Sequence, residues 1–560
     1  MRRAIPILRG LPILIVMIAA AVAGMAWAIS SPIGSSPDED YHLASIWCPP
    51  PVETSGCQVQ VNAQGTTTVT LPIRVFAAPV CFAYHSDNSG ACIWAIPADK
   101  TGNDGRFDRG EYPGGFYHVM HLFAGNDPYT SVYAMRAFNV ALAIVLGALL
   151  VLAATRPTRR ILAYAVASTY VPMGMFIVPS VNPSSWALIG VTTAAFALHS
   201  YWIAESRSRV ILNATLTAVG VGLAASARGD AAIYAILAAV AVTCLHYRSA
   251  RRHPVRLALP AAIVAVGLIV FRMSSQTGVA MSEGGLGASN PRGGWSLLFS
   301  NIVNIPTLVL GNQGLPGLGG LGWLDTPMPP IVYVSTVTVC AFLMMAGVGR
   351  LSRMKALVAG GGILVVLAIP LYTLQVSHIV VGQAVQPRYI LPLLPVVSLV
   401  LLTGYRPDQA VRLSRAAAWL TWVLVSGANS VALMVNIQRY TTGLDGPKVP
   451  GRAIEWWSTN RVGPLPTWIL GSLGFAIAAW MIVRLSSGPD APVSVASPAD
   501  HQAIEPASLS ADEPALAPAS QVADAELIPV PPAPTPPVAV RPATPQYRMS
   551  DPASQGIPSP

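Results

Sequence analysis

Residues 11–29, LPILIVMIAAAVAGMAWAI, decide how the remainder of the chain is read. They carry no charge and are long enough, as a helix, to cross a hydrocarbon core of about 30 Å. Arg2, Arg3 and Arg9 stand before them, so the positive-inside rule starts this helix on the cytoplasmic side and runs it outward. A cleaved signal is the competing reading, because Ala26 and Ala28 frame a small-x-small site. The apolar stretch exceeds the usual signal core of about 7 to 15 residues, which favours a retained helix.

Similar runs recur near 131–153, 161–178, 186–204, 210–226, 231–247, 257–273, 331–348, 356–376, 389–404, 416–436 and 467–485. With the first they make about twelve spans. Of the 560 residues, 53% are hydrophobic and 11% are charged, against about 25% charge in an ordinary soluble domain. The expected fold is therefore an all-α polytopic membrane protein, and a soluble enzyme is excluded. The net charge of +9 gathers in short clusters between spans: Arg156, Arg159 and Arg160; Arg207 and Arg209; Arg248, Arg251, Arg252 and Arg256; Arg350, Arg353 and Lys355; Arg406, Arg412 and Arg415. Alternation puts every cluster inside and leaves scattered Arg228, Arg388, Arg439 and Arg461 outside, with both termini cytoplasmic in a multi-pass plasma-membrane protein. No basic face for nucleic acid is left. The pair 210–226 and 231–247 is also compatible with one re-entrant hairpin. The stretch 295–310 is short and flanked by glycines, and reads as an interfacial or re-entrant helix.

Four regions follow: an N-terminal helix (1–29), an extracytoplasmic loop (30–130), a multispan domain (131–485) and a tail (486–560). The tail is rich in Pro, Ala, Ser and Asp without apolar periodicity, and is expected to be disordered and cytoplasmic. The loop is far longer than a usual connection, which predicts a folded, functional segment. It contains Cys48, Cys57, Cys81 and Cys92, four of the six cysteines. An outside location favours two disulfides, with three pairings open. A zinc site is the rival, but no Cys-x-x-Cys occurs. Cys244 and Cys340 fall within spans as packing residues.

Just beyond the first span the chain reads SSPDEDYH, residues 35–42. Pro37 fits the start of a helix, on which Asp38 and His42 would stand one turn apart on one face. Such a pair can take a proton from a hydroxyl, or hold a divalent cation (Mg or Mn) that a phosphate also binds; a polar helix start is the plain alternative. Asp38, Glu39, Asp40 and His42 are the catalytic candidates. Glu111, Tyr112, His118, His121, Asn182, Arg228, Asp230, Trp323, Asp325, Arg388 and Tyr389 fall on the same side. Arg388 follows Pro387 at the mouth of an apolar helix, where it could present a guanidinium to a phosphate at headgroup depth. Arg228 and Asp230 could simply pair. Residues 99–111 are oxygen-rich, but the glycine is misplaced for an EF-hand and a turn-rich loop is the simpler reading. Walker, GxSxG and HExxH motifs are absent from the sequence.

The order SSPDEDYHLASIWC (35–48), EYPGGFYH (111–118), SVNPSSW (180–186), GLGWLDTPMP (320–329) and VQPRYILPLLP (385–395) resembles the bacterial membrane-protein family of domain of unknown function 2142, in its actinobacterial form. That family is similar to the GT-C superfamily of membrane glycosyltransferases, which take a sugar from a polyprenyl-phosphate carrier and use an acidic residue in the first outer loop. The resemblance implies the acidic motif at Asp38, Glu39 and Asp40 with His42, and Arg388 near the donor phosphate. Tyr389, Asp325, Glu111, His118 and Asn182 are further substrate-binding candidates. The cysteine-bearing insertion 48–92 departs from better-known members, so acceptor recognition does not carry over.

The expected function is transfer of a sugar from a polyprenyl-phosphate donor to a cell-envelope glycan acceptor on the outer face, with the bilayer as the other partner. A transporter or flippase of lipid-linked saccharides, or a noncatalytic envelope assembly factor, are the rivals. A transporter would place more charge deep within the spans.

Overall fold

The computed structural model describes residues 6–61, 65–274, 294–315, 320–383, 385–458 and 461–486. Beyond Ser486 the expected tail lies outside the described residues. Among those described, ten helices are long and apolar enough to cross a membrane: Pro12–Ile29, Pro128–Ala153, Pro183–Ile203, Arg207–Ala227, Pro254–Met273, Gly294–Gln313, Pro330–Val348, Arg353–Val376, Arg415–Thr441 and Pro464–Ser486. Two shorter apolar helices, Gly229–Leu245 and Leu391–Leu402, accompany them. The chain is a polytopic helical membrane protein.

Two stretches differ from the hydropathy reading. Residues 161–178 form no continuous span: helix Arg156–Thr169 stops ahead of a cis Val171–Pro172 bond, and a short helix, Met173–Ile177, follows. Pro172 has no N–H to continue the ladder, and the residue before a proline avoids helical angles. The stretch expected to lie at the interface is instead of spanning length. Its apolar window runs on through the turn Gly311–Gln313, past the glycine that suggested an end. Buried Asn301 fastens it to its neighbour by donating to Ile379 O (3.0 Å) and accepting from Val381 N (2.9 Å). The pair after Arg207 is two helices, with extended Arg228 as the hinge between them.

Small residues let the helices touch backbone to backbone. A Cβ on Gly190 would stand 2.6 Å from Gly220 O, and one on Gly220 would stand 2.7 Å from Gly190 O. Gly190 with Ala194 and Gly220 with Ala224 thus form two facing small-x-x-x-small patches. The last span approaches the first in the same way, with Gly471 against Ala26 and Gly474 against Ala19. Trp27 adds a hydrogen bond from Nε1 to Asn429 Oδ1, 3.2 Å.

One end of the bundle carries the segment after the first span. It contains helix Glu39–Trp47, an antiparallel sheet in the order Val59–Val61, Thr67–Pro72, Thr101–Asp104, and helix Gly115–His121. Part of the stretch read as turns is therefore the third strand, with Val69 opposite Asp104. Leu43, Val69, Leu71, Phe82, Phe116 and Tyr117 form its core. Each cysteine pairs with the next, Cys48–Cys57 and Cys81–Cys92. Arg439, fully buried at the end of the Arg415–Thr441 helix, clamps this segment. It donates to Phe82 O (2.6 Å), to Asn88 O and to Asp325 Oδ2 (2.8 Å).

Candidate functional site

The chain leaves the first span through a turn collected by one guanidinium. Arg136, 2% exposed, donates to Ala28 O (3.1 Å), Ser31 O (2.6 Å), Pro32 O (2.7 Å) and Glu39 Oε1 (3.1 Å). Glu39 also accepts from Ser36 N at 2.9 Å, which fixes the start of the next helix. That helix begins at Glu39, one residue after Asp38. Asp38 is its N-cap in the left-handed region, φ 60°, with no side-chain capping bond. The expected helical stacking of Asp38 on His42 is thereby replaced: Asp38 O accepts from His42 N (3.0 Å), and the Asp38 carboxylate is free to turn away.

It turns to two arginines. Arg388 Nη2 donates to Asp38 Oδ2 at 2.7 Å, and Arg106 Nη2 donates to Oδ1 at 2.6 Å. Arg106 also bonds Asp40, so its guanidinium occupies the space between the two acids. Burial pushes the Asp38 carboxyl up, but the cations beside it, Arg388 above all and then Arg106, outweigh burial and hold it down at about 2. His42 is buried with Nδ1 3.0 Å from the Tyr117 hydroxyl. Burial holds its imidazole well below the ordinary value against the pull of Asp38, and Arg388, Arg228 and Arg106 push the same way as burial. The ring is neutral at pH 7.

Arg388 is 3% exposed, and among the described residues its Nε and Nη1 have no partner. Tyr389 lies between two cations: its ring centre is 5.1 Å from the Arg388 guanidinium carbon and 4.9 Å from that of Arg228. Arg228 is itself bidentate to Asp230, at 2.9 and 2.8 Å. A small recess beside Arg388 is lined by Pro37, Met173, Gly320, Gly322, Leu324 and Gln386, and Gln386 Oε1 is also buried without a partner. Asp38, Leu324 (φ 63°) and Tyr84 (φ 65°) all hold left-handed backbone near this place, a costly conformation that tends to gather at functional sites.

A second acidic pair flanks the motif. Tyr41 donates to Asp108 Oδ1 (3.2 Å) and Glu111 Oε2 (3.3 Å). Asp108 is fully buried; its Oδ1 also accepts from Glu111 N and Tyr112 N, whereas Oδ2 has no donor. Burial, with Glu111 alongside, pushes the Asp108 carboxyl up to about 7.

The candidates named from sequence thus separate. Asp38, Asp40, His42, Arg388 and Tyr389 come together. Glu39 faces Arg136, away from them. Asn182 caps the Pro183–Ile203 helix through Ser184 N (2.9 Å) and donates to Pro37 O (2.9 Å), positioning the motif from behind. Asp325 is bound to Arg439, Tyr84 N and Thr326. His118 is exposed and bonded to Gly114 O, and His121 to Ile46 O. Glu111 belongs to the Asp108 pair.

Arg106 and Arg136 are residues the sequence reading passed over, and Asp108 was read only as part of the oxygen-rich 99–111 loop. Arg136 had a usable signal, since a charge inside an apolar span is rarely idle. Among the described residues no three His, Cys, Asp or Glu side chains converge as a metal site; Arg106 supplies the cation between Asp38 and Asp40.

Comparison with curated proteins and with solved structures gives no match. The family profile described as a predicted membrane protein, DUF2142, matches residues 22–397, which includes the acidic motif, the Asp325 segment and Arg388. The chain belongs to this family.

Proposed function

We propose that the chain is an integral membrane glycosyltransferase that moves a sugar from a polyprenyl-phosphate donor to a cell-envelope acceptor. The motif end of the bundle would face outward from a bacterial plasma membrane, with both termini cytoplasmic. The observation that carries this reading is the Asp38–Arg388 pair, in which a buried guanidinium keeps two of its nitrogens, Nε and Nη1, unpartnered among the described residues beside an acid. A phosphate oxygen is a natural acceptor for guanidinium N–H groups left open in this way.

The resting pair also suggests an order of events. A carboxylate held near 2 is a poor base. A donor phosphate on Arg388 would compete with Asp38 for the same cation, weaken the ion pair and raise the carboxylate's affinity for a proton. The acceptor hydroxyl then attacks the anomeric carbon as the bond from that carbon to the phosphate oxygen breaks. Asp38 takes the hydroxyl proton and passes it to water, and the lipid phosphate leaves with the electron pair, its charge offset by Arg388. His42, neutral and fixed by Tyr117, positions Asp38 instead of supplying charge.

The test is sugar transfer in membranes supplied with a polyprenyl-phosphate sugar, together with lipid extracts of a deletion strain. Asp38→Asn should lower transfer by about 10²- to 10⁴-fold with normal expression, and the deletion strain should accumulate the donor. Wild-type complementation by Asp38→Asn would end this reading.

A further inference from the structure

The bundle encloses a half-open cavity of about 1120 Å³ between the first span, helix Pro128–Ala153, helix Arg156–Thr169 and the last span. It exceeds the range of about 300 to 1,000 Å³ usual for small-molecule pockets. Its wall is almost wholly aliphatic and aromatic, from Val16, Ala20, Ala143, Leu162 and Phe475 among others. An apolar void of this size is not stable empty, and its lining gives water no partners. In a chain that spans a bilayer, the available filling is hydrocarbon.

The charge at one end specifies the kind. Arg159 and Arg484 line the cavity where helix Arg156–Thr169 begins and the last span finishes. Arg159 Nε is buried without a partner among the described residues. The charged group that acts on it is another cation, Arg209. Among the described residues that line the cavity none is acidic. A guanidinium cannot shed its proton to relieve this, so the end of an apolar cavity is left asking for an anion at headgroup depth.

We propose that the cavity is a resident site for one anionic glycerophospholipid, its acyl chains in the apolar part and its phosphate against Arg159 and Arg484. The arginines lie beyond the far end of helix Pro128–Ala153, a helix whose start is at the motif end, and the proposal does not depend on the transferase reading. Gly147 gives a clean way to close it. It lines the cavity, and a Cβ there meets nothing within 4 Å.

The experiment is native mass spectrometry of the full chain in detergent after exchange with phosphatidylglycerol or phosphatidylcholine. Wild type should retain one phosphatidylglycerol with at least tenfold preference over phosphatidylcholine. Gly147→Phe should lose the bound lipid, and Arg159→Gln with Arg484→Gln should lose the preference, each with an unchanged elution profile on size-exclusion chromatography. Equal retention of the two lipids by wild type, a Gly147→Phe protein that keeps its lipid, or a co-purifying polyprenyl phosphate in this cavity would overturn the proposal. None of these readouts involves sugar transfer, so the two readings fail separately.

Discussion

Asp38 is bonded to Arg106 and Asp108 follows that arginine by two residues, yet their environments drive their protons in opposite directions. Asp38 has its folded value lowered from 3.8 to about 2. Its contribution to stability is therefore complete above about 4 and is lost as the pH falls through 2. Asp108 has its value raised from 3.8 to about 7. Its contribution is complete below about 4 and disappears as the pH rises through 7. Thermal unfolding in detergent between pH 4 and pH 8 should show a decline toward the alkaline side, and Asp108→Asn should flatten it; an unaltered slope would remove Asp108 as the cause. Arg136 gives a second expectation. Because it and Glu39 are almost completely buried, Arg136→Leu alone should destabilise by about 3 to 5 kcal/mol. The double change with Glu39→Leu should be milder, since no uncompensated charge is left, and a double-mutant cycle in thermal unfolding measures this. The sequence displayed Asp38 and Arg388 because each stands at the end of an apolar run. It concealed Arg106 because only the long-range fold of the sheet brings residue 106 to residue 38.

At the level of helices, the Gly190–Gly220 contact leaves no room for a side chain. Leucine at either position would meet backbone atoms, which cannot rotate aside, so it must separate the two helices and not merely repack them. Gly220→Leu should lower the melting temperature by the equivalent of about 1 to 3 kcal/mol or more. Gly222→Leu, where a Cβ meets nothing within 4 Å, should be near neutral, so equal effects would refute the packing argument. Hydropathy located nearly every long helix because burial in lipid demands apolar length, which a window can count. It missed the break at Pro172 because the apolar character continues through it while the hydrogen-bond ladder does not. It placed the Gly294–Leu310 helix to within one residue but left out the turn Gly311–Gln313, which carries the apolar window on to spanning length. Cysteine content predicted disulfides without predicting partners, since pairing depends on how the intervening chain turns.

Across the whole molecule, the 30–130 segment is joined to the bundle at three places: by the ion pairs of Arg136 with Glu39 and of Arg388 with Asp38, and by Arg439, which holds the carbonyls of Phe82 and Asn88 while paired with Asp325. Asp325 and the carbonyls of Phe82 and Asn88 share Arg439, and the Cys81–Cys92 bond closes the turn that supplies those carbonyls. Replacing both cysteines by serine should loosen that turn by about 2 to 3 kcal/mol. Limited proteolysis should then cut first between residues 80 and 95, while the helical bundle survives; simultaneous loss of the bundle would mean that the turn and the helices unfold as one unit.

The glycine-mediated seam between the first and last spans has a bearing on how the protein is made. A ribosome delivers residues 12–29 more than 400 residues before residues 464–486 exist, so the opening helix must wait in the membrane with its Ala19, Ala23 and Ala26 flank uncovered. Assembly thus ends with the final insertion event closing a ring on the earliest one. Nascent chains halted before residue 464 will lack the closing stave, and will be the ones that quality-control proteases remove.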